Sequence, residues 1–113
     1  VIDDNCVVHA ATPMEIGDNV NIGHGAIIHG KKIGNSTLIG NNATILDEAE
    51  IGDFCVIAAG CLVKPGMKVP DQSFVVGVPG EIKGKSQPHH LQWVQEGTQS
   101  YVKIAKQYKE QGL

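Results

Sequence analysis

An aliphatic residue recurs at every sixth position through most of this chain, and this spacing constrains the fold more than any other feature. Glycine or alanine often follows it, as in Ile33-Gly34 and Ile39-Gly40. A period of six matches neither an α-helix nor the two-residue alternation of a single strand. The spacing departs from six by two extra residues after Val8 and by one fewer after Ile28. We call these positions the grid, and all of them are apolar: Ile2, Val8, Ile16, Ile22, Ile28, Ile33, Ile39, Ile45, Ile51, Ile57, Val63, Val69 and Val75.

A second column of restricted composition follows four residues after the grid. Its members are small or β-branched, which suits a tight corner: Cys6, Val20, Ala26, Thr37, Ala43, Ala49, Cys55, Cys61 and Ser73. Three hexapeptides make one triangular coil of about 18 residues, so the pattern predicts a mainly β fold, a parallel β-helix. Each coil would add one short strand to each of three parallel sheets, with successive coils about 4.8 Å apart and the grid filling the interior. The three cysteines then become core residues.

Composition and charge exclude several classes of function. The chain of 113 residues is 42% hydrophobic but only 4% aromatic, which fits a core of aliphatic side chains. A formal charge of −3 without a Lys/Arg cluster predicts no nucleic-acid partner and no anionic membrane partner. Because the sequence has neither a signal-peptide pattern nor an apolar run near 18 residues, we expect a cytoplasmic protein that does not enter a membrane.

The repeat ends after Val75, where the segment 77–80 (Gly-Val-Pro-Gly) interrupts it. We therefore predict a β-helix over residues 1–83 and a C-terminal α-helix over residues 84–113 that packs along the coil. Apolar residues between Leu91 and Tyr108 recur mostly at steps of three and four, which is typical of an amphipathic helix. Its polar face is not basic, which disfavours a helix lying on a membrane. Since the chain starts within the pattern, at Val1, we expect upstream coils to be missing.

Two histidines occupy equivalent positions on consecutive coils. His9 directly follows Val8, and His29 directly follows Ile28. The grid predicts that these imidazoles lie one above the other. On strands about 4.8 Å apart, two imidazoles can share a metal ion in a geometry that zinc uses readily.

A third histidine in the repeat, His24, is placed differently. It lies two residues after a grid position and should sit one side of the prism away from His29. Three histidines with water in the fourth position form an ordinary catalytic zinc set, so a neighbouring subunit around a threefold axis would have to supply His24. From spacing alone, unrelated solvent-exposed histidines remain the alternative. His89 and His90 are predicted to be bystanders.

Two segments of the chain resemble the metal-ligand segments of γ-class carbonic anhydrases. They are residues 2–9 (Ile-Asp-Asp-Asn-Cys-Val-Val-His) and 22–30 (Ile-Gly-His-Gly-Ala-Ile-Ile-His-Gly). The later repeats and the exit at 76–80 continue the resemblance over nearly the whole chain. It implies a left-handed β-helix and a homotrimer that binds zinc, or iron or cobalt in some members. His9 and His29 of one subunit and His24 of its neighbour would hold the metal, whose hydroxide would convert carbon dioxide to bicarbonate.

The same resemblance assigns catalytic roles to Asp3 and Asp4. The family usually has Gln followed by Asp before the first ligand, and here Asp3 stands where Gln would orient the metal-bound water. A carboxylate accepts hydrogen bonds but cannot donate one as an amide does, and its charge would oppose hydroxide formation. Asp4 keeps the second position. Its family partner, an Arg in an upstream Arg-Gly-Asp segment, has no counterpart in this sequence.

Two other functions fit a chain of this kind. Acyltransferases on the same coil use a lone His as general base, a role that His24 or His29 could fill. That interpretation leaves the matched positions of His9 and His29 unexplained. A metal-binding or scaffold trimer without efficient hydratase activity is the non-enzymatic alternative.

Overall fold

A computed structural model describes residues 1–9 and 12–87 of the chain. These residues form short strands joined by tight corners. The strands are β1 (Val7–Val8), β2 (Glu15–Ile16), β3 (Asn21–Ile22), β4 (Ile27–Ile28), β5 (Lys32–Ile33), β6 (Leu38–Ile39), β7 (Thr44–Ile45), β8 (Glu50–Ile51), β9 (Val56–Ile57), β10 (Leu62–Val63), β11 (Lys68–Val69), β12 (Ser73–Val76) and β13 (Glu81–Lys85).

The strands assemble into three sheets, to which consecutive strands contribute in turn. Sheet I has the order β1-β4-β7-β10, sheet II has β11-β8-β5-β2, and sheet III has β13-β12-β9-β6-β3. The pairings are parallel except that of β12 with β13. Grid residues pair with grid residues, as in Ile28 with Ile45 and Ile33 with Ile51. The parallel β-helix predicted from the period of six is therefore confirmed.

The C-terminal part of the predicted organisation is described only as far as residue 87. Strand β13 runs to Lys85 and forms an antiparallel hairpin with β12, so residues 84 and 85 are extended. The rest of the predicted C-terminal helix, with His89 and His90, lies outside the described residues. Among those that are described, no helix has the length and hydropathy needed to cross a membrane.

Grid side chains form the core of the prism. Those from Ile22 to Val75 are buried, and Ile28, Ile39, Ile45, Ile57, Val63 and Val75 have no exposed surface. Ile2, Val8 and Ile16 are exposed because no coil of the described chain lies over them. Each fully buried aliphatic side chain contributes about 1.5–3 kcal/mol, so the stacked coils support one another.

The corners have a common backbone conformation at the third position after the grid. This residue has positive φ, for example +62° at Glu48, +55° at Phe54 and +72° at Gly25. The next residue turns inward and must be small, which explains the second column of the sequence. Ala26, Thr37, Ala43, Ala49 and Cys55 have no exposed surface there.

The cysteines take core positions, as the repeat predicts. Cys55 and Cys61 are buried free thiols, and burial raises the pKa of both. Cys6 is half-buried, and its Sγ donates to the Gly23 carbonyl oxygen at 3.0 Å. Burial favours the neutral thiol of Cys55 and Cys61 over the reactive thiolate.

The outer faces of sheets I and II differ sharply in character. The outward residues of sheet II alternate in charge through in-register pairs: Glu15, Lys32, Glu50 and Lys68. Lys68 Nζ lies 3.5 Å from Glu50 Oε2. Sheet I instead presents Val7 and Ile27, which are 49% and 38% exposed.

Candidate metal centre

The edge between sheets I and II brings two of the predicted ligands together. The parallel pairing of Val8 with Ile28 sets the backbones that lead into His9 and His29 side by side. His9 N donates to the Ile28 carbonyl oxygen at 2.9 Å, which continues the ladder into the corner. The two imidazole rings are 5.2 Å apart between centroids and inclined by 57°. The predicted stacking of His9 and His29 is confirmed.

A carboxylate on the next coil faces this pair. Asp47 Oδ1 lies 3.5 Å from His29 Nδ1. The contact places the carboxylate on the Nδ1 side of the His29 ring. A carboxylate on the second nitrogen is the usual arrangement around metal-binding histidines, where it fixes the ring and raises its basicity.

The edge between sheets III and I carries the other predicted site residues. Asp3 Oδ2 lies 3.7 Å from His24 Nε2, and the pairing of Ile2 with Ile22 brings their segments together. His24 N donates to Asn41 Oδ1 at 2.8 Å, which ties this corner to the coil above. The side chain of Asp4 is exposed, and its backbone oxygen accepts from Gly25 N at 3.0 Å.

Sheet I therefore separates two half-sites. His9 and His29 follow its strands, whereas Asp3 and His24 precede them. Within the described part of a single chain, no three His, Cys, Asp or Glu side chains are close enough to hold a metal ion. The structure brings the predicted site residues together as two pairs, His9 with His29 and Asp3 with His24, and does not join the pairs.

The chemistry of the donors fits a divalent transition metal. Imidazole nitrogens with an added carboxylate oxygen are the ligands that zinc accepts, and they also suit iron and cobalt. The His9 and His29 rings are neighbours on adjacent coils, with centroids 5.2 Å apart. His24 is 58% exposed at its side chain, so its free face can reach a neighbouring molecule.

Sequence reasoning missed Asp47, although the sequence carried a signal for it. The corner after Ile45 stacks on the corner after Ile28, so the acids that follow Ile45 had to come near His29. The contact between Asp3 and His24 was missed for a similar reason. Both segments follow paired grid residues, but their side-chain directions cannot be read from the period.

Comparison with known proteins identifies the hexapeptide repeat and related chains. Residues 30–65 match the family "Bacterial transferase hexapeptide (six repeats)". A Methanocaldococcus jannaschii protein named "Probable carbonic anhydrase" is 46% identical over 107 residues, which are 93% of this chain and 67% of that protein. The "Carnitine operon protein CaiE" of Citrobacter koseri is 38% identical over 92% of this chain. The matched region is only 54% of the CaiE protein.

Solved structures share the fold at low sequence identity. A hexapeptide transferase family protein from Anaplasma phagocytophilum has a TM-score of 0.65 at 17% identity and covers 93% of this chain and 78% of its own. A UDP-N-acetylglucosamine acyltransferase from Campylobacter jejuni has a TM-score of 0.60 at 16% identity, over 79% of this chain and 40% of its own. These likenesses support the coil architecture alone.

The fold and the hexapeptide match define a hexapeptide-repeat β-helix protein. Within that class, the 46% identity to the Methanocaldococcus jannaschii protein over most of the chain shows the family. The chain belongs to the γ-class carbonic anhydrase-like family of hexapeptide-repeat proteins.

Proposed function

We propose that this chain forms a homotrimer that binds a divalent metal ion, zinc in the first place, between subunits and hydrates carbon dioxide reversibly to bicarbonate. His9 and His29 of one subunit and His24 of the next would hold the ion. The observation that carries the proposal is the pairing of His9 and His29, with ring centroids 5.2 Å apart on adjacent coils. The archaeal relative, named for carbonic anhydrase activity, supports the choice of reaction.

The face between the two half-sites supports the trimer. Val7 and Ile27 expose apolar surface on sheet I, directly between the edge that carries His24 and the edge that carries His9 and His29. Burying such a face against a neighbour is favourable at about 25 cal/mol per Å² of apolar area. A threefold arrangement would bring the His24 edge of one subunit to the paired histidines of the next and generate three equivalent sites.

Each side chain of the centre has a distinct task in this proposal. A bound ion would supply Lewis acidity that activates water toward carbon dioxide. The His9 and His29 rings present their nitrogens from one edge, and Asp47 keeps His29 in the orientation that leaves Nε2 available. Asp3 lies beside His24 and places a carboxylate next to the proposed ion. Asp4, the next residue in the chain, is exposed and would be a second carboxylate near the centre, in contact with solvent.

Stopped-flow hydration of carbon dioxide by the zinc-loaded protein tests the activity. We expect the wild type to exceed the buffer rate, and His9→Ala and His24→Ala to fall to that rate because each loses a ligand. His90→Ala, a histidine predicted to be a bystander, is the matched control and should keep the wild-type rate.

Two other results would replace the proposal. A wild type that binds zinc but hydrates carbon dioxide no faster than His9→Ala would identify a metal-binding trimer without hydratase activity. Acetyl transfer from acetyl-CoA to an amine, unaffected by His9→Ala but lost in His24→Ala or His29→Ala, would indicate an acyltransferase.

A further inference from the structure

We infer that Asp3 is a fourth protein ligand of the metal, supplied by the same subunit as His24. The inference rests on the metal centre proposed above and concerns which group fills the fourth coordination position of the ion. It makes Asp3 a residue that determines access to the ion.

The position of Asp3 relative to His24 carries the inference. Asp3 Oδ2 lies 3.7 Å from His24 Nε2. Two donors bound to one tetrahedral zinc ion at 2.0–2.1 Å lie about 3.3 Å apart. The observed separation is therefore within a small side-chain adjustment of a shared ion. An ion bound at His24 Nε2 would find this carboxylate next to it.

The backbone holds Asp3 at this place. Asp3 N donates to the Ile22 carbonyl oxygen at 2.9 Å, and the parallel bridge of Ile2 with Ile22 continues the sheet at this point. The Asp3 side chain is only 21% exposed, whereas that of His24 is 58% exposed. The carboxylate is thus partly desolvated and directed along the edge toward the ring.

An ion pair between a protonated His24 and Asp3 is the simpler alternative. Pairs in which one partner is largely exposed contribute little stability, about 0–1 kcal/mol, and do not select a fixed geometry. That alternative predicts no change in metal coordination when the carboxylate is removed. Direct ligation predicts such a change, so the two can be separated by experiment.

The consequence concerns the fourth coordination position. Structural zinc sites have four protein ligands, whereas catalytic sites keep one position open to solvent. Three imidazoles with the Asp3 carboxylate would fill four positions. Asp3 would then compete with water and with small anions for the ion. This competition would strengthen metal binding and slow the hydration of carbon dioxide.

Cobalt(II) loaded into the protein provides the probe, because its visible absorption reports coordination. We expect azide to change the wild-type spectrum only at high concentration. Asp3→Asn should change the visible absorption of the bound cobalt before azide is added, because the ion loses a ligand. It should also bind azide at least about 10-fold more tightly and hold cobalt at least about 10-fold more weakly in competition with a chelator. Asp3→Gln, which also lacks the anionic ligand, should behave in the same way.

Asp18→Asn is the matched control because it removes the same charge at the edge between sheets II and III. Its azide response and cobalt affinity should equal those of the wild type. Equal azide affinity in wild type, Asp3→Asn and Asp3→Gln would overturn the inference while leaving the metal centre intact. Failure of the wild type to bind cobalt more tightly than His9→Ala would overturn the proposed metal centre and the inference together.

Discussion

At the scale of single residues, Asp47 is the most instructive side chain of the centre. It belongs to a coil that contributes no histidine, yet it reaches His29 because the corner after Ile45 stacks on the corner after Ile28. A carboxylate beside Nδ1 holds one tautomer of the ring and one orientation. In the proposed centre Asp47 would therefore be a positioning residue, which acts on the metal through His29.

Removing this carboxylate should weaken metal binding without unfolding the coil. We expect Asp47→Ala to reduce zinc affinity by about 10-fold, because outer partners of metal-bound histidines contribute 10–100-fold and Asp47 is largely exposed. Competition with a chromophoric chelator at constant pH would measure the change.

The matched variants make this result specific. Asp47→Asn keeps an acceptor oxygen and should recover part of the affinity, whereas Asp18→Ala, which removes an equal charge elsewhere, should change nothing. An identical loss in Asp47→Ala and Asp18→Ala would show that only net charge matters.

The limits of sequence reasoning are clearest at this scale. The stacking of His9 and His29 could be predicted because both directly follow grid residues, so the backbone alone sets their separation. The contacts of Asp3 with His24 and of Asp47 with His29 each involve a residue two positions after the grid, His24 or Asp47, and depend on its side-chain torsions. A period of six carries no information about those torsions.

At the scale of elements, the regular two-residue strands and corners explain why the β-helix could be predicted from the sequence. Every coil repeats an inward aliphatic residue, a residue of positive φ and a small buried residue, so the period fixes backbone and core together. Hairpin β12–β13 was not predicted because its antiparallel partner follows the break at residues 77–80, where the period has ended.

The stacked grid should make the middle of the prism sensitive to loss of volume. We expect Ile39→Ala to lower the free energy of unfolding by about 2–5 kcal/mol, because its side chain is completely buried between coils. Urea unfolding followed by circular dichroism would measure the change.

Ile82→Ala provides the comparison at an exposed position. Ile82 lies on β13, outside the prism, and is 45% exposed, so its truncation should cost less than about 1.5 kcal/mol. Equal costs at the two positions would contradict a core built from the grid.

At the scale of the whole molecule, the separation of the two half-sites by sheet I makes assembly testable through the metal itself. His9→Ala and His24→Ala subunits should each bind little zinc alone. In random mixed trimers, about one interface in four would combine an intact His9/His29 pair with an intact His24, as follows for a cyclic assembly of two equally abundant subunits.

We therefore expect co-expression of these two variants to restore about a quarter of the wild-type zinc per chain, measured by atomic emission. Restoration requires that the ligands come from different subunits. No recovery in mixed trimers of wild-type mass would instead mean that the site is formed within one chain. The grid could indicate that His24 lies apart from the His9/His29 pair and would have to come from another subunit, but the geometry of that neighbour is not encoded in the period.

The alternating charges on the outer face of sheet II have a consequence for how the chain finds its own order. Successive coils are so alike that a strand could pair with the wrong coil and still bury its grid residue. In the native stack Glu15, Lys32, Glu50 and Lys68 alternate in sign, so skipping one coil would set Glu15 against Glu50 or Lys32 against Lys68. Like charges directly opposite each other are destabilising. The alternating charges therefore favour the native order of the coils over an order in which one coil is skipped.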